Sequence, residues 1–180
     1  MKKLSVREMT AAAFGTALIA VCSWISVPLT VPITLQTFAV CLIAALLGWK
    51  TGLLSVFCFI LLGAAGLPVF SGMKGGAGVL AGVTGGYIIG FLFTALAVGF
   101  AAERRGRRLP VLIPAMIAGV LLCYVFGTAW FLLFYARSGN PVTLAAALGW
   151  CVIPYLIPDA VKILLAAFLS CRLYPAISGR

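Results

Sequence analysis

The chain has 180 residues, of which 64% are hydrophobic and only 9% are charged. A soluble domain carries about 25% charged residues, so this composition excludes a water-soluble fold and predicts one integral membrane domain over residues 1–180. The net charge of +10 would suit nucleic acid, but the basic residues stand at the ends of apolar runs, where they act as topology signals and headgroup anchors, and no nucleic-acid partner is expected.

Apolar segments predict an all-α fold with six transmembrane helices. In chain order they lie at roughly 9–27, 35–48, 52–66, 79–102, 110–135 and 144–172. The first lacks an A-x-A-like cleavage site and is expected to remain as a helix. The second and third are shorter than the ~20 residues that a span usually needs, and a turn at 48–52 separates them. Two short crossings are favoured, and a single re-entrant hairpin is the alternative.

The distribution of basic residues predicts that both termini are cytoplasmic. In a six-helix topology with the N-terminus inside, only Lys74 and Arg137 fall in outer loops, and Lys162 lies within a helix. The remaining ten of the 13 basic residues are cytoplasmic, which is the bias typical of that side. These are Lys2, Lys3, Arg7, Lys50, Arg104, Arg105, Arg107, Arg108, Arg172 and Arg180. We therefore expect a multi-pass protein of the cytoplasmic membrane.

The sequence offers few groups for catalysis. It has no histidine, and its only acids are Glu8, Glu103 and Asp159, so a histidine base and paired carboxylates are both missing. The six cysteines stand singly in apolar segments, without C-x-x-C spacing. The glycines at 78–90 lack the GK[ST] of a phosphate-binding loop. We expect no enzymatic activity, no metal and no cofactor, so that active transport would draw its energy from a partner or an ion gradient.

Two connections on the predicted outer side are apolar: one precedes the second helix, and the other follows the third. Residues 28–36 carry no charge, and eight of the 22 residues at 66–87 are glycine. Loops exposed to solvent usually contain Asp, Asn and Ser, whereas glycine allows close backbone approach and positive φ. We predict that the second connection folds back as a lid over an outward-facing pocket. The alternative is a surface loop in the headgroup region.

Two opposite charges stand inside the last apolar segment, at Asp159 and Lys162. Three residues apart on a helix, they share one face, and each alone would cost roughly 2.5–3.5 kcal/mol at the bilayer centre. Pro154 and Pro158 precede them and favour a kink or break. We expect both charges to line a cavity and to bind a zwitterion, or an acid that also carries amide-like N–H groups. A purely structural salt bridge is the alternative.

Four further residues are candidate ligand contacts. Lys74 is the one charge in the glycine-rich connection, and a solvated lysine is the alternative. Tyr87 follows two glycines at the start of the fourth helix, where a tyrosine at the membrane interface is equally compatible. Thr34 and Gln36 are polar residues near the start of the second helix, where Thr34 could instead cap the helix and Gln36 could be solvated.

Small residues recur at four-residue spacing in the first helix, at Ala13 and Ala17. Such a stripe lets another helix approach closely in lipid. It predicts a docking face for another membrane protein, with packing against the chain's own helices as the alternative.

Four segments together resemble the BioY family, the biotin-specific substrate-binding S components of energy-coupling factor (ECF) transporters. They are VPITLQTF at 31–38, GAAGLPVFSG at 63–72, GVTGGYIIGF at 82–91 and IPDAVK at 157–162. The chain departs from the family at Met73-Lys74, where members often have a glycine and a polar residue, and at Val83, where many have proline.

The resemblance implies a six-helix S-component fold that captures biotin for uptake. Its energising module would comprise a transmembrane T component and two cytoplasmic ATPases. The family's Asp-x-x-Lys pair falls on Asp159 and Lys162 as biotin contacts, and its first-helix docking motif falls on Ala13 and Ala17. The alternatives are an S component for another small carboxylated vitamin, or a membrane scaffold or channel.

Overall fold

Helices account for most of the fold, which is seen in a computed structural model that describes residues 5–178. A short antiparallel pair of strands, β1 (Ser26–Val27) and β2 (Ile33–Thr34), closes the connection after the first helix. The helices are α1 (Val6–Trp24), α2 (Gln36–Ala64), α3 (Ala77–Ala81), α4 (Gly85–Arg105), α5 (Leu109–Arg137), α6 (Leu144–Cys151) and α7 (Leu156–Ser178). The predicted all-α class is confirmed.

Five stretches of the described chain are long and apolar enough to cross a membrane, one fewer than predicted. They are α1, α2, α4, α5 and the 144–177 stretch that contains α6 and α7. The difference lies in α2, whose 29 residues cover both short helices of the prediction.

The helix α2 is interrupted at Gly48, whose φ of 80° and ψ of 179° are not helical. A Cβ built on Gly52 would lie 2.9 Å from the Cα of Ala44, although residues eight apart in a straight helix are separated by roughly 12 Å. The chain therefore turns back at Gly48, and the stretches 36–47 and 49–64 pack against each other as a hairpin of two short helices. This agrees with the predicted turn at 48–52, and the six crossings stay a prediction.

Two charged side chains satisfy backbone groups at this turn. The Trp49 amide donates to Oε1 of Glu103 at 3.2 Å, at the start of the second short helix. Arg107 Nε donates to the carbonyl of Ala45 at 2.7 Å, near the end of the first. A carboxylate at a helix N-terminus and a cation at a C-terminus both suit the helix dipole, so the turn is held by charges from α4 and the segment that follows it.

Two predicted helices are each divided in the structure. The predicted helix at 79–102 begins instead as the short α3, and α4 starts only at Gly85, because residues 82–84 leave the helical path. The predicted helix at 144–172 breaks after Cys151, and a 3-10 turn at Ile153–Tyr155 precedes α7. Pro154 lies in that turn, so the expected proline break is confirmed, and α7 extends beyond the predicted end.

Both ends of the described chain lie at the same end of the helix bundle. Nη2 of Arg7, in α1, donates to the carbonyl of Ile177, in α7, at 3.0 Å. The turn at Gly48 and the start of α5 lie at this end too, because Cys171 Sγ of α7 donates to the carbonyl of Arg107. The basic residues that were predicted to be cytoplasmic and that lie within residues 5–178 are therefore gathered at one end of the bundle, as expected if both termini lie on the same side of the membrane. They are Arg7, Lys50, Arg104, Arg105, Arg107, Arg108 and Arg172. The cytoplasmic location itself stays a prediction.

Replacing Gly48 by alanine should destabilise the fold. Strain in this positive-φ region costs about 1–3 kcal/mol for a residue with a side chain, and the new Cβ would collide with the Glu103 carboxylate. The matched control is Gly106→Ala, because Gly106 has φ 87° and no neighbour within 4 Å of a built Cβ. We expect Gly48→Ala to lower the unfolding temperature in detergent clearly more than Gly106→Ala does. Equal losses would mean that the hairpin turn does not pack against α4.

Candidate functional site

A cavity of about 270 Å³ opens at the end of the bundle opposite the chain termini. Its wall is built from the β1–β2 connection, the start of α2, the glycine-rich connection, the first half of α4, the middle of α5 and the start of α7. The structure brings all six candidate ligand contacts to this wall: Thr34, Gln36, Lys74, Tyr87, Asp159 and Lys162. Residues far apart in the sequence thus converge on one small space.

Asp159 and Lys162 form an ion pair within the cavity wall. Lys162 Nζ lies 2.7 Å from Oδ1 of Asp159, and the two residues are only 7% and 4% exposed. Asp159 stands in the first turn of α7, where the helix dipole favours a carboxylate. The salt bridge that was the alternative prediction is therefore present. Both residues also line the cavity, as the first prediction expected.

The second oxygen of Asp159 accepts a hydrogen bond from Tyr124. The hydroxyl of Tyr124, on α5, lies 2.5 Å from Oδ2, and its side chain is 8% exposed. The sequence analysis missed this residue, because one tyrosine in a uniformly apolar helix has no spacing or flanking motif that marks it. This hydrogen bond ties the ion pair to α5. The sequence alone does not indicate that α5 and α7 meet at these two residues.

Gln36 presents a polar group without a protein partner. Its side-chain Oε1 accepts from Thr34 Oγ1 at 3.1 Å, which fixes the amide, while Nε2 has no hydrogen-bond partner among the described residues. The residue is 5% exposed, so the solvated alternative is wrong. A buried donor left unpaired costs about 1–3 kcal/mol, and a ligand with an acceptor in this cavity would remove that cost.

Tyr87 is buried inside the bundle rather than placed at its surface. Its hydroxyl lies 3.1 Å from Thr128 Oγ1, and its ring packs over Gly127, where a Cβ would collide with it. The residue is 7% exposed, so the interpretation as an interfacial tyrosine is wrong. Lys74, in contrast, is exposed and reaches the cavity only at its rim.

The glycine-rich connection folds down onto the cavity. Phe70 is 1% exposed, and its ring occupies the space in which Gly63 would carry a side chain. Phe70 and the two residues after it line the cavity. The first outer connection is held as well, because the Tyr155 hydroxyl donates to the carbonyl of Val31. Both connections line the cavity, although only the second was predicted to fold back over it, and its role as a lid stays a prediction.

Ala13 and Ala17 lie on the outer face of α1. Both are exposed, whereas Gly15 and Thr16 are buried, and Thr16 Oγ1 donates to the carbonyl of Ser55 at 3.0 Å. Packing against the chain's own helices therefore uses the opposite face of α1. The alanine stripe is left open to lipid or to another protein.

Comparison with known proteins gives one consistent result. The sequence model of the BioY family matches residues 1–179. The biotin transporter BioY of Thermotoga maritima is 41% identical over 169 residues, which cover 93% of this chain and 96% of that protein. A probable biotin transporter BioY of Pyrococcus horikoshii is 36% identical over 171 residues, or 94% and 98%.

A solved structure also matches the fold. It is the crystal structure of the S-component for biotin from an ECF-type ABC transporter. The TM-score is 0.82 at 30% sequence identity, and the alignment covers 93% of this chain and 90% of that one. The agreement extends over nearly the whole bundle.

The ion pair in the cavity should behave as a coupled unit. Asp159→Asn or Lys162→Met alone leaves one buried charge without its partner, which costs on the order of 3–5 kcal/mol. We expect the double variant to lose clearly less stability than the sum of the two single losses. Thermal unfolding of the four ligand-free proteins in detergent measures this difference. Additive losses would show that the two charges are solvated independently.

Proposed function

The chain belongs to the BioY family, and we propose that it captures biotin at the outer face of the cytoplasmic membrane as the S component of an ECF transporter. The observation that carries this proposal is a small, covered cavity in which the buried Asp159–Lys162 pair meets the unpaired amide of Gln36. It is a binding subunit for transport and not an enzyme.

The chemistry of the cavity suits biotin. Biotin carries a carboxylate, two ureido N–H donors and a ureido carbonyl on an otherwise apolar skeleton. Lys162 and the Gln36 amide offer donors, and the Asp159 carboxylate keeps acceptor capacity, since its two oxygens together have about four lone-pair sites. Ile88, Phe91 and Val120 supply apolar wall. Few convergent polar groups in an apolar pocket are typical of small-ligand sites.

The remaining candidate contacts lie around this core. We assign Tyr87 and Thr34 to the wall that contacts the ligand, the latter because it orients Gln36. Lys74, at the rim, would attract an anionic ligand during entry. The covering connections must move to admit biotin, and they then exclude water from the bound ligand.

Energy for release to the cytoplasm would come from partner proteins. The chain has no phosphate-binding loop motif, and the matching structure is an S-component from an ECF-type ABC transporter. We propose that a transmembrane T component and two cytoplasmic ATPases form the energising module, which docks on the open face of α1 at Ala13 and Ala17. Both chain termini would then lie in the cytoplasm.

Calorimetric titration of the purified protein with biotin should give tight one-to-one binding. Removing a hydrogen bond to a charged group costs about 1.5–3 kcal/mol, so Asp159→Asn and Lys162→Met should each weaken binding by roughly 10-fold or more. Gln36→Leu removes the unpaired amide without leaving a buried charge, and we expect it to weaken binding while keeping the fold.

Arg172→Gln serves as the control, since Arg172 stacks on Phe168 outside the cavity wall. Its affinity for biotin should equal that of the wild type. Thiamine, riboflavin and niacin, each titrated separately into the protein, should show no binding. Absence of binding by well-folded wild-type protein would refute the assignment to biotin.

Ala13→Trp should disrupt assembly with the energising module without affecting biotin binding. A large ring on the open face of α1 prevents close helix contact, whereas the cavity lies on other elements. Co-purification of the chain with a tagged T component measures the loss. Val125→Trp is the control, because Val125 is 70% exposed on α5. Normal assembly of Ala13→Trp would place the docking face elsewhere.

A further inference from the structure

A second concavity lies on the outside of the bundle, between the second short helix of α2 and α4. Its volume is about 530 Å³, and it is far more open than the cavity described above. Leu53 and Phe57 form one side, and Leu92 and Leu96 form the other. We call this concavity the lateral groove. Its walls are hydrocarbon surface, except where Trp49 and Lys50 close one end.

The groove runs along the helices with a defined direction. A Cβ on Gly99 of α4 would collide with the backbone of Trp49, so the end of α4 lies beside the start of the second short helix, and the two helices are antiparallel. From Lys50 to Phe57 the helix rises by roughly 10 Å. The apolar floor therefore extends from the end that holds the chain termini toward the middle of the bundle.

Cations mark the terminal end of the lateral groove. The Lys50 ammonium lies 5.4 Å from the centroid of the Trp49 ring. On α4, the positions of Leu96, Phe100 and Arg104 follow at four-residue spacing and share one face, and the Arg104 guanidinium stacks 5.0 Å from the centroid of the Phe100 ring. Phe100 and Arg104 do not line the groove itself, but they continue this face of α4 beyond Leu96 toward the terminal end.

One acidic side chain at this end reduces its positive charge without cancelling it. Glu103, the one acid of α4, accepts a hydrogen bond from the Trp49 backbone amide and so has its carboxylate at the hairpin turn. Arg105 adds a further exposed cation beside it. An anion at the mouth of the groove would therefore meet a net positive surface.

We infer that the lateral groove binds one anionic glycerophospholipid, with an acyl chain against Leu53 and Leu96 and its phosphate held by Lys50 and Arg104. An apolar groove of this length suits a lipid acyl chain, which needs no hydrogen-bond partners. The cations stand at the depth where phosphate lies if this end faces the cytoplasm. Basic pockets between helices on the cytoplasmic side are the sites that anionic headgroups prefer. The site is separate from the biotin cavity and does not depend on it.

Native mass spectrometry of the purified chain with phosphatidylglycerol or phosphatidylcholine tests the inference. We expect one phosphatidylglycerol per chain to be retained in preference to phosphatidylcholine. Lys50→Gln and Arg104→Gln should each weaken retention about fivefold, the factor expected for one cation near a lipid surface. Leu53→Trp should fill the slot and weaken retention of both lipids. Unchanged biotin binding by each variant would show that the fold is intact.

Arg172→Gln is the matched control, because Arg172 stacks on Phe168 at 5.3 Å and neither residue lines the lateral groove. Its retention of phosphatidylglycerol should equal that of the wild type. Fluorescence quenching by brominated phosphatidylglycerol, compared between wild type and Trp49→Phe, should place the acyl chain beside Trp49. Equal retention of the two lipids, or retention unaffected by Lys50→Gln and Leu53→Trp, would overturn the inference. Crosslinking between two copies through Phe57→Cys, with no quenching of Trp49, would identify a second copy as the occupant and overturn it too.

Discussion

Burying two charges in a bundle made for lipid is the constraint on which the binding end of this protein depends. The pair formed by Asp159 and Lys162 is nearly inaccessible, and the attraction between such charges roughly offsets the cost of removing them from water. The structure meets that cost with the start of α7, where the dipole favours a carboxylate, and with the hydroxyl of Tyr124. A break before α7 is needed to bring a helix N-terminus to this depth, and the turn containing Pro154 provides it.

Close packing of α4 against α5, beside the buried pair, depends on glycine. Gly127 lets the ring of Tyr87 lie flat against α5, and Gly119 lets Thr94 approach until its hydroxyl donates to the Gly119 carbonyl at 2.9 Å. In a membrane, where apolar side chains gain little by leaving lipid, such contacts supply much of the association between helices. The same glycines allow the close approach of α4 and α5, both of which contribute residues to the cavity wall.

The opposite end uses its charges in another way. There Glu103 and Arg107 bind backbone groups at the turn of the α2 hairpin, and other cations stack on aromatic rings, as Arg104 does on Phe100. These groups lie at the end of the bundle that holds the chain termini, away from the cavity. One end of the bundle thus concentrates polar groups for a ligand, and the other anchors helix ends and faces partners, lipid or both.

The sequence by itself determined the membrane class, the approximate spans, the turn at Gly48, the proline break before α7 and six residues of the cavity. Those features follow from composition, from the periodicity of apolar residues and from residues that interrupt helices. A charge or a proline within an apolar segment is compatible with few structural environments. Only the tertiary structure decided that Tyr124 joins the buried pair, that Gln36 keeps an unpaired amide and that Ala13 faces outward. It also placed Lys50 at the end of the lateral groove. Each of these depends on which helices meet and at what rotation, and an apolar helix with little amphipathic bias does not specify that in its own residues.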